Sequence, residues 1–402
     1  MKDKLHRNLV VAVVEALTEI FVENRYADKV IERTLAADPR RGSRDRAFIA
    51  DTVYSIVRWW RLTGFYANVE GKSDVDSIWR RVSIWFQASG YKLPDWLQEY
   101  EVTEAILEKR IQMAAEKRAI HHSIPDWLEE FGSQFFSDEK WNTEMESLNE
   151  RAELVIRVNT LKITRPKLKA LLETHDIECL TSADFPDAML LERKGNLFAM
   201  QEFKDGLFEV QDAGSQTIAP FLRVEPGMRV IDACAGAGGK TLHLAALMQG
   251  KGRIVSMDIE DFKLTELKRR ARRNGIPNIE TRLIEGAKTI KRLAESADRL
   301  LLDVPCSGLG VIRRNPDAKW KLNPEFIARV QETQADILST YPVMLKPGGL
   351  MVYATCSILP VENENQVQKF LDANPNFELI EEKHVWPSEG FDGFYMALIK
   401  KN

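Results

Sequence analysis

The sequence predicts an α/β fold: a doubly wound, mostly parallel sheet that follows an all-helical N-terminal region and a small α+β unit. In residues 1 to about 120, apolar residues recur at helical spacing, as in LVVAVVEALTEIFV and DRAFIADTVYSIVRWWRL. From about residue 205 onward, short apolar strands such as RVIDACA, RIVSMDI and LMVYATC alternate with helical segments. This alternation is typical of a parallel sheet covered by helices on both faces.

The middle of the chain has a different pattern. Residues 121–160 are acidic, with nine Asp/Glu against three Lys/Arg, and suggest a helical connector. After it, LVIRVN is typical of a strand, TRPKLKALLETH of a helix and AMLLER of a second strand. We therefore predict a helical domain over 1–125, a connector with a small α+β subdomain over 126–204, and the α/β domain over 205–402.

The composition is that of an ordinary folded protein, with 402 residues, 44% hydrophobic residues and a net charge of −4. No apolar stretch approaches the ~20 residues that cross a bilayer, and the start MKDKLHRNLVVAVVEAL lacks a small-residue cleavage site. We therefore expect a cytoplasmic protein with no membrane partner. The net charge alone argues against a nucleic-acid partner, but residues 261–330 hold sixteen Lys/Arg and nine Asp/Glu, a local balance of +7.

The cysteines are too scattered for a structural metal site. Each lies at least fifty positions from the next, and no CxxC or Cys/His cluster occurs. Disulfides are not expected in a cytosolic protein. The four are Cys179, Cys234, Cys306 and Cys356.

A glycine-rich turn, GAGGKT starting at Gly236, follows the strand RVIDACA and opens a helix. Such a turn lets the backbone approach a ligand and directs free N–H groups at it. A P-loop would need glycine at Cys234, and a dinucleotide fingerprint would need glycine at Thr241. The turn fits the looser pattern of S-adenosylmethionine (SAM) sites, with Asp258 at the end of the next strand to accept the ribose hydroxyl protons. A tight structural turn with an exposed aspartate is the alternative.

Two cysteines end predicted strands on the side where this turn would bind its ligand. Cys306 follows RLLLDVP, and Cys356 follows LMVYAT. A thiolate can attack carbon 6 of a pyrimidine, so that carbon 5 becomes nucleophilic and accepts a methyl group. Asp303 is a candidate for donating to, or hydrogen-bonding with, the base edge. The chemistry alone does not choose between the two thiols.

Three stretches carry a resemblance to a known family: DACAGAGGKT, LLDVPCSGLGVIRRNPDAKW and LKPGGLMVYATCSILPVENE. They closely resemble the RNA (cytosine-C5) methyltransferases of the RsmB/NSUN family, with the bacterial ribosomal RNA branch the nearest match. The resemblance extends to GLFEVQDAGSQ and RVNTLK, and more weakly to SIPDWL and the helical N-terminus. It implies a Rossmann-like SAM methyltransferase domain and a NusB-like RNA-binding domain.

The resemblance also implies roles for individual residues. Cys356 would be the nucleophile, Cys306 would assist proton removal or product release, and Asp303 would face both the donor and the base. Asp258 would hold the ribose of SAM. The SAM loop would comprise Cys234, Ala235, Gly236, Ala237, Gly238, Gly239 and Lys240, of which Lys240 would also contact RNA.

The chain departs from the family pattern at two places. Ala237 stands where the family usually has proline. The acid expected near the adenine is absent, because Gly286 occupies its place; the adjacent Glu285 is the candidate replacement.

Basic residues offer candidate RNA contacts. The run KRRARR at 268–273 suits either phosphate binding or a solvated helix face. We expect Arg313 and Arg314 to contact the substrate because they follow the PCSG loop. Trp320 would either stack on a base or be buried.

The sequence thus predicts methyl transfer from SAM to carbon 5 of a cytidine in ribosomal RNA, 16S rRNA in particular, by a monomer that binds RNA and no metal. The same chemistry on transfer RNA is the nearest alternative. A non-catalytic RNA-binding ribosome assembly factor and a P-loop NTPase are the others.

Overall fold

The computed structural model describes residues 4–192 and 196–402, which divide into two compact units. Unit 1 comprises residues 4–150 together with Ile312–Pro324, and unit 2 comprises Arg151–Val311 and Glu325–Asn402. The helices are α1 Arg7–Phe21, α2 Ala27–Ala36, α3 Ser43–Arg58, α4 Trp60–Ala67, α5 Val75–Ala88, α6 Glu104–Ala115, α7 Arg118–His121, α8 Asp126–Ser133, α9 Asp138–Asn149, α10 Arg165–Glu173, α11 Gln201–Lys204, α12 Ala213–Gln216, α13 Ile218–Phe221, α14 Gly239–Leu247, α15 Asp261–Asn274, α16 Ala287–Lys291, α17 Ala318–Lys321, α18 Pro324–Thr340 and α19 Glu364–Ala373.

The strands form two sheets, both in unit 2. They are β1 Leu154–Val158, β2 Cys179–Leu180, β3 Ala188–Leu191, β4 Phe208–Val210, β5 Arg229–Asp232, β6 Arg253–Asp258, β7 Ile279–Leu283, β8 Ala297–Asp303, β9 Leu345–Thr355, β10 Phe377–Val385 and β11 Phe394–Lys401.

Unit 1 is all-helical, as predicted for the N-terminal region. The apolar stripe of α1 is buried against α3 and α5, and residues such as Val13, Val53 and Val82 are fully excluded from solvent. This unit continues past residue 125, because α8 and α9 belong to it. It also includes Ile312–Pro324, a segment that the sequence analysis placed in the α/β domain over 205–402.

The small sheet of unit 2 is antiparallel, in the order β2-β3-β1-β4. Strands β1 and β3 and helix α10 confirm the predicted α+β pattern. Strands β2 and β4 were not anticipated. Because β4 follows the predicted boundary at residue 204, the subdomain extends further along the chain than expected.

The large sheet has the order β10-β11-β9-β8-β5-β6-β7. Strands β5 to β9 are parallel, and β11 runs antiparallel to both of its neighbours. Successive residues of β5, such as Val230 and Ile231, are fully buried and belong to different core clusters, as expected for a sheet covered on both faces. The doubly wound, Rossmann-like prediction is confirmed.

Candidate active site

The predicted site residues converge at one edge of the large sheet. Strands β9, β8 and β5 are consecutive neighbours, and each ends in a loop that holds predicted residues. The carboxyl ends of parallel strands meet at the same edge, which is where open α/β sheets bind ligands. Residues separated by more than a hundred positions are thereby brought together.

The glycine loop between β5 and α14 is held by hydrogen bonds from three directions. Gly236 and Gly238 have φ angles of 53° and 89°, in the region that favours glycine. Asp258, at the end of β6, accepts from the backbone N–H of Gly236 through Oδ2 (2.9 Å). Arg270 of α15 donates to the carbonyl of Ala237 (2.9 Å), and Arg157 of β1 donates to that of Gly239 (2.7 Å).

A cavity of about 560 Å³ opens beside this loop. Its volume lies in the range of small-molecule sites. Ile259, Ile284, Ile337 and Tyr341 supply apolar walls. Its polar lining is mainly acidic, with four carboxylates and one amine: Asp258, Glu260, Asp303 and Asp336, and Lys263.

The structure contradicts the assignment of Glu285 to this cavity. Its side chain is exposed, and the preceding residue, Ile284, lines the wall instead. Of this segment, Ile284 thus supplies an apolar side chain to the cavity, and Glu285 is not among the lining residues.

The two predicted catalytic cysteines are in direct contact. Their Sγ atoms lie 3.2 Å apart, and the backbone N–H of Cys356 donates to the sulfur of Cys306 (3.3 Å). The hydrogen bond with Cys356, followed by burial, raises the pKa of Cys306 well above its ordinary value. Cys306 therefore holds its proton more tightly than a free thiol does.

Lys240 brings a positive charge to the same place. Its ammonium donates to Oδ2 of Asp303 at 2.5 Å. Burial opposes its charge, but the charges of Asp303 and Cys356 outweigh burial and raise the pKa of Lys240. Lys240 therefore keeps its positive charge close to the cysteine pair. Its contact with RNA remains a prediction.

A buried carboxylate that the sequence did not single out connects the two cysteine loops. Glu362 is fully buried and accepts from the Ser307 hydroxyl (2.5 Å) and the Ser357 hydroxyl (2.6 Å). It also accepts from the Ser307 backbone N–H (2.7 Å) and, at 3.3 Å, from Gln334. Since each serine follows one of the cysteines, Glu362 fixes both loops at once. In the sequence, the signal that could have pointed to Glu362 is the Cys-Ser dipeptide that occurs twice before it, at 306–307 and at 356–357.

The structure corrects the prediction for Arg313. In unit 1, the side chain of Arg313 is only 2% exposed and donates to the carbonyl of Ser147 at 2.7 Å. A buried guanidinium with that partner is not available to an RNA phosphate. Trp320 is half-buried, donates to the carbonyl of Val57 and packs on the helical core. Arg314 is partly exposed, and its RNA contact remains a prediction.

The basic run at 268–273 divides into two sets. Arg270 and Arg273 both bind the carboxylate of Glu209 in β4, so they attach α15 to the small sheet. Lys268, Arg269 and Arg272 are exposed. The two alternatives for this run, phosphate binding and a solvated helix face, therefore stay open for these three exposed residues.

Within residues 4–192 and 196–402, no helix combines the length and apolar character needed to cross a membrane. The same part of the chain contains no group of three or more His, Cys, Asp or Glu side chains arranged to hold a metal ion.

Comparison with known proteins supplies two family matches. Residues 219–400 match the family described as 16S rRNA methyltransferase RsmB/F, and residues 124–197 match the ferredoxin-like domain of RsmF/B-like methyltransferases. Ribosomal RNA small subunit methyltransferase B of Klebsiella pneumoniae is 36% identical over 273 residues, or 65% of this chain and 63% of that protein. The matched region thus spans less than two thirds of the length of such curated relatives.

Solved structures agree on the fold. The crystal structure of the protein PH0851 superposes with a TM-score of 0.80 at 24% identity, over 100% of both chains. A methyltransferase homologue from Pyrococcus horikoshii gives a TM-score of 0.64 at 27% identity, over 72% of this chain and 99% of that one. From the two family matches, residues 124–197 and 219–400 of this chain belong to the RsmB/F family of methyltransferases, and the curated relatives that match are bacterial.

Proposed function

We propose that this protein transfers a methyl group from SAM to carbon 5 of a cytidine in ribosomal RNA, specifically 16S rRNA. The observation that carries the proposal is the pair of cysteine sulfurs 3.2 Å apart at the sheet edge that also holds the glycine loop. The family membership supports the substrate class.

The residues that line the cavity beside the glycine loop suit SAM. SAM carries a sulfonium and an ammonium group, and the acidic lining of the cavity favours a cationic ligand. Asp258 lines this cavity while it holds the loop, so it can accept from the ribose hydroxyls through its remaining lone pairs. When bound, SAM supplies the methyl group as an electrophilic carbon.

In the proposed reaction, three side chains have separate roles at the cytosine base. The thiolate of Cys356 forms a bond to carbon 6, and Asp303, a carboxylate paired with Lys240, accepts from the 4-amino group of the cytidine. Bond formation removes the charge of Cys356 and its hydrogen bond with Cys306. The pKa of Cys306 then falls, so Cys306 releases its own proton to solvent water and, as a thiolate, takes the proton from carbon 5; the electrons of that C–H bond re-form the double bond between carbons 5 and 6. Loss of that proton precedes release of Cys356.

The direct test is methyl transfer from tritiated SAM to purified 16S rRNA and to transfer RNA, followed by bisulfite sequencing of both. We expect one modified cytidine in 16S rRNA. Modification of transfer RNA alone would show that transfer RNA, and not 16S rRNA, is the substrate. RNA binding without methyl transfer would favour a non-catalytic ribosome assembly factor.

The covalent step has its own test. Cys306→Ala should trap an RNA–protein adduct that survives denaturing electrophoresis, whereas the double variant with Cys356→Ala should not. If the double variant still formed the adduct, a residue other than Cys356 would be the nucleophile that attacks carbon 6.

A further inference from the structure

The small antiparallel sheet carries two buried charges on the face that meets the glycine loop and α15. Arg157 of β1 and Glu209 of β4 are direct neighbours in the register of these two strands. Each residue is only 3% exposed. Directly opposed residues of adjacent strands point to the same face of a sheet, so the two charges act on the same surroundings. Nothing in the proposed methyl transfer uses Glu209, although burying a carboxylate is costly unless it is paired.

Arg270 of α15 connects Glu209 to the glycine loop. Its Nη2 donates to Oε2 of Glu209 at 2.9 Å, and its Nη1 donates to the carbonyl of Ala237 at 2.9 Å. A planar guanidinium offers its donors in fixed directions, so it holds these two acceptors in a set relative position. Ala237 follows Gly236, which lines the cavity assigned to SAM.

The glycine loop depends on contacts of this kind for its conformation. Three of the four residues at 236–239 are glycines, which lose more conformational freedom on ordering than other residues do. At Gly238 there is no room for a side chain, because an added Cβ would lie 2.6 Å from a carbon of Leu267 in α15. The loop therefore rests directly on α15, and Arg270, three positions further along that helix, fixes the carbonyl that precedes Gly238.

Glu209 is ionised in this cluster. Burial opposes its charge, but the charge of Arg270 and the hydrogen bonds from Arg273 and Asn274 outweigh burial and lower the pKa of Glu209. Arg273 donates to the second carboxylate oxygen, Oε1, at 2.5 Å. The side chains of both arginines are 17% exposed. Arg270 continues to the glycine loop, whereas the guanidinium of Arg273 lies 3.9 Å from the ring centre of Phe203.

We propose that Glu209 and Arg270 are positioning residues for SAM, and that the small sheet thereby forms part of the cofactor site. This role rests on the proposed function, because it takes the cavity beside the glycine loop as the SAM site. Glu209 orients the guanidinium of Arg270, and Arg270 holds the Ala237 carbonyl, so the neighbouring Gly236 keeps its place in the cavity wall. A loop that is ordered before the ligand arrives loses less of the binding energy to ordering.

The first experiment compares Arg270→Met with Arg273→Met. Each substitution removes one cation from Glu209 and leaves the other, so we expect similar losses of stability in urea. Calorimetric titration of the full-length proteins with S-adenosylhomocysteine should show about tenfold weaker binding for Arg270→Met, the effect of losing one hydrogen bond from a charged group. Binding to Arg273→Met should change little. Equal losses of affinity in the two variants would overturn the positioning role.

Steady-state methyl transfer adds a readout that general destabilisation does not move. With saturating RNA, Arg270→Met should raise KM for SAM, while kcat at saturating SAM stays near that of the unchanged protein, because bound SAM itself orders the loop. A fall in kcat with an unchanged KM would place Arg270 in the chemical step and contradict the positioning role.

A double-mutant cycle tests whether Glu209 acts through Arg270. Glu209→Met removes both acceptor oxygens and should weaken S-adenosylhomocysteine binding on its own. It should have no added effect on this affinity in Arg270→Met but keep its effect in Arg273→Met. Additive losses of affinity for Glu209→Met and Arg270→Met would show that the small sheet does not act on the loop through Arg270.

The unchanged protein and Asp258→Ala separate this role from the proposed function. If the unchanged protein did not bind S-adenosylhomocysteine, or if Asp258→Ala bound it equally tightly, the cavity would not be the SAM site, and the proposed function of these residues would fail. If both proteins behave as a SAM site requires but Arg270→Met and Arg273→Met lose equal affinity, only the positioning role fails.

Discussion

The sulfur of Cys306 lies 3.2 Å from that of Cys356, although the two residues end different strands fifty positions apart. Two anionic sulfurs at this distance would repel each other strongly, so the pair shares one negative charge at most near neutral pH. The ionisation of each thiol therefore depends on the state of the other.

This coupling predicts that Cys356→Ala lowers the pKa of Cys306, because the hydrogen bond that raises it most is removed. Alkylation of Cys306 by iodoacetamide at pH 8, followed by peptide mass spectrometry, should become several-fold faster than in the unchanged protein. Cys179, whose pKa burial raises to about 11, is the internal control and should stay slow. An unchanged alkylation rate of Cys306 would refute the coupling.

Glu362→Gln should weaken both the fold and the reaction. The amide replaces one acceptor oxygen by a donor among hydroxyl and N–H donors, so we expect a loss of about 1–3 kcal/mol in the free energy of unfolding. Because the two cysteine loops lose their common anchor, kcat should fall more than KM rises.

The matched control for this variant is Glu364→Gln. Glu364 lies in the same ENE sequence but pairs with His384, at 2.6 Å. Urea denaturation and steady-state methyl transfer measure the two effects. Equal kinetic losses in the two variants would argue against a positioning role for Glu362.

Asp232, at the end of β5, should make stability depend on pH. It is fully buried, and burial raises its pKa from 3.8 to about 7, against the opposing hydrogen bond from Thr241. The folded state therefore holds a proton that the unfolded chain releases near pH 4, so this group's contribution to stability falls as pH rises from about 4 to 7.

Asp232→Asn cannot lose that proton. The variant should gain stability relative to the unchanged protein at pH 8 but not at pH 4, as measured by urea denaturation midpoints across this range. Parallel stability curves for the two proteins would show that Asp232 does not titrate as described.

Arg313→Met should destabilise unit 1 without weakening electrostatic RNA binding. The substitution leaves the carbonyl of Ser147 without this donor, which predicts a loss of about 1–3 kcal/mol. The comparison variant, Arg272→Ala, changes an exposed side chain and should alter stability little. If α15 contacts phosphate, only Arg272→Ala should reduce the salt dependence of RNA affinity. The reverse pattern would restore Arg313 as an RNA contact.

Local patterns predicted the parallel sheet, because most of its strands contain an apolar run before a glycine or polar turn, as in RVIDACA and LMVYATC. Strands of two or three residues, Cys179–Leu180 and Phe208–Val210, are too short for any such period. The cysteine pair and the glycine loop were predictable because the topology of a parallel sheet dictates where its strand ends meet.

The remaining errors arose from long-range packing. Arg313 is near the PCSG loop in the chain, but its partner Ser147 is 166 positions away. Glu362 is one of two acidic residues in VENEN, and nothing in that string distinguishes a fully buried carboxylate from a solvated one. Burial and partner choice depend on contacts that no sequence window contains.

The assignment of Ile312–Pro324 to unit 1 bears on how this protein can be dissected. The chain passes between the two units at three points, after residues 150, 311 and 324. A fragment starting at residue 151 would carry Arg313 and Lys319, both buried in the whole protein, without the helices that cover them. Each unit therefore consists of two separate segments of the chain, so neither unit can be expressed, exchanged or deleted whole as one uninterrupted stretch of coding sequence.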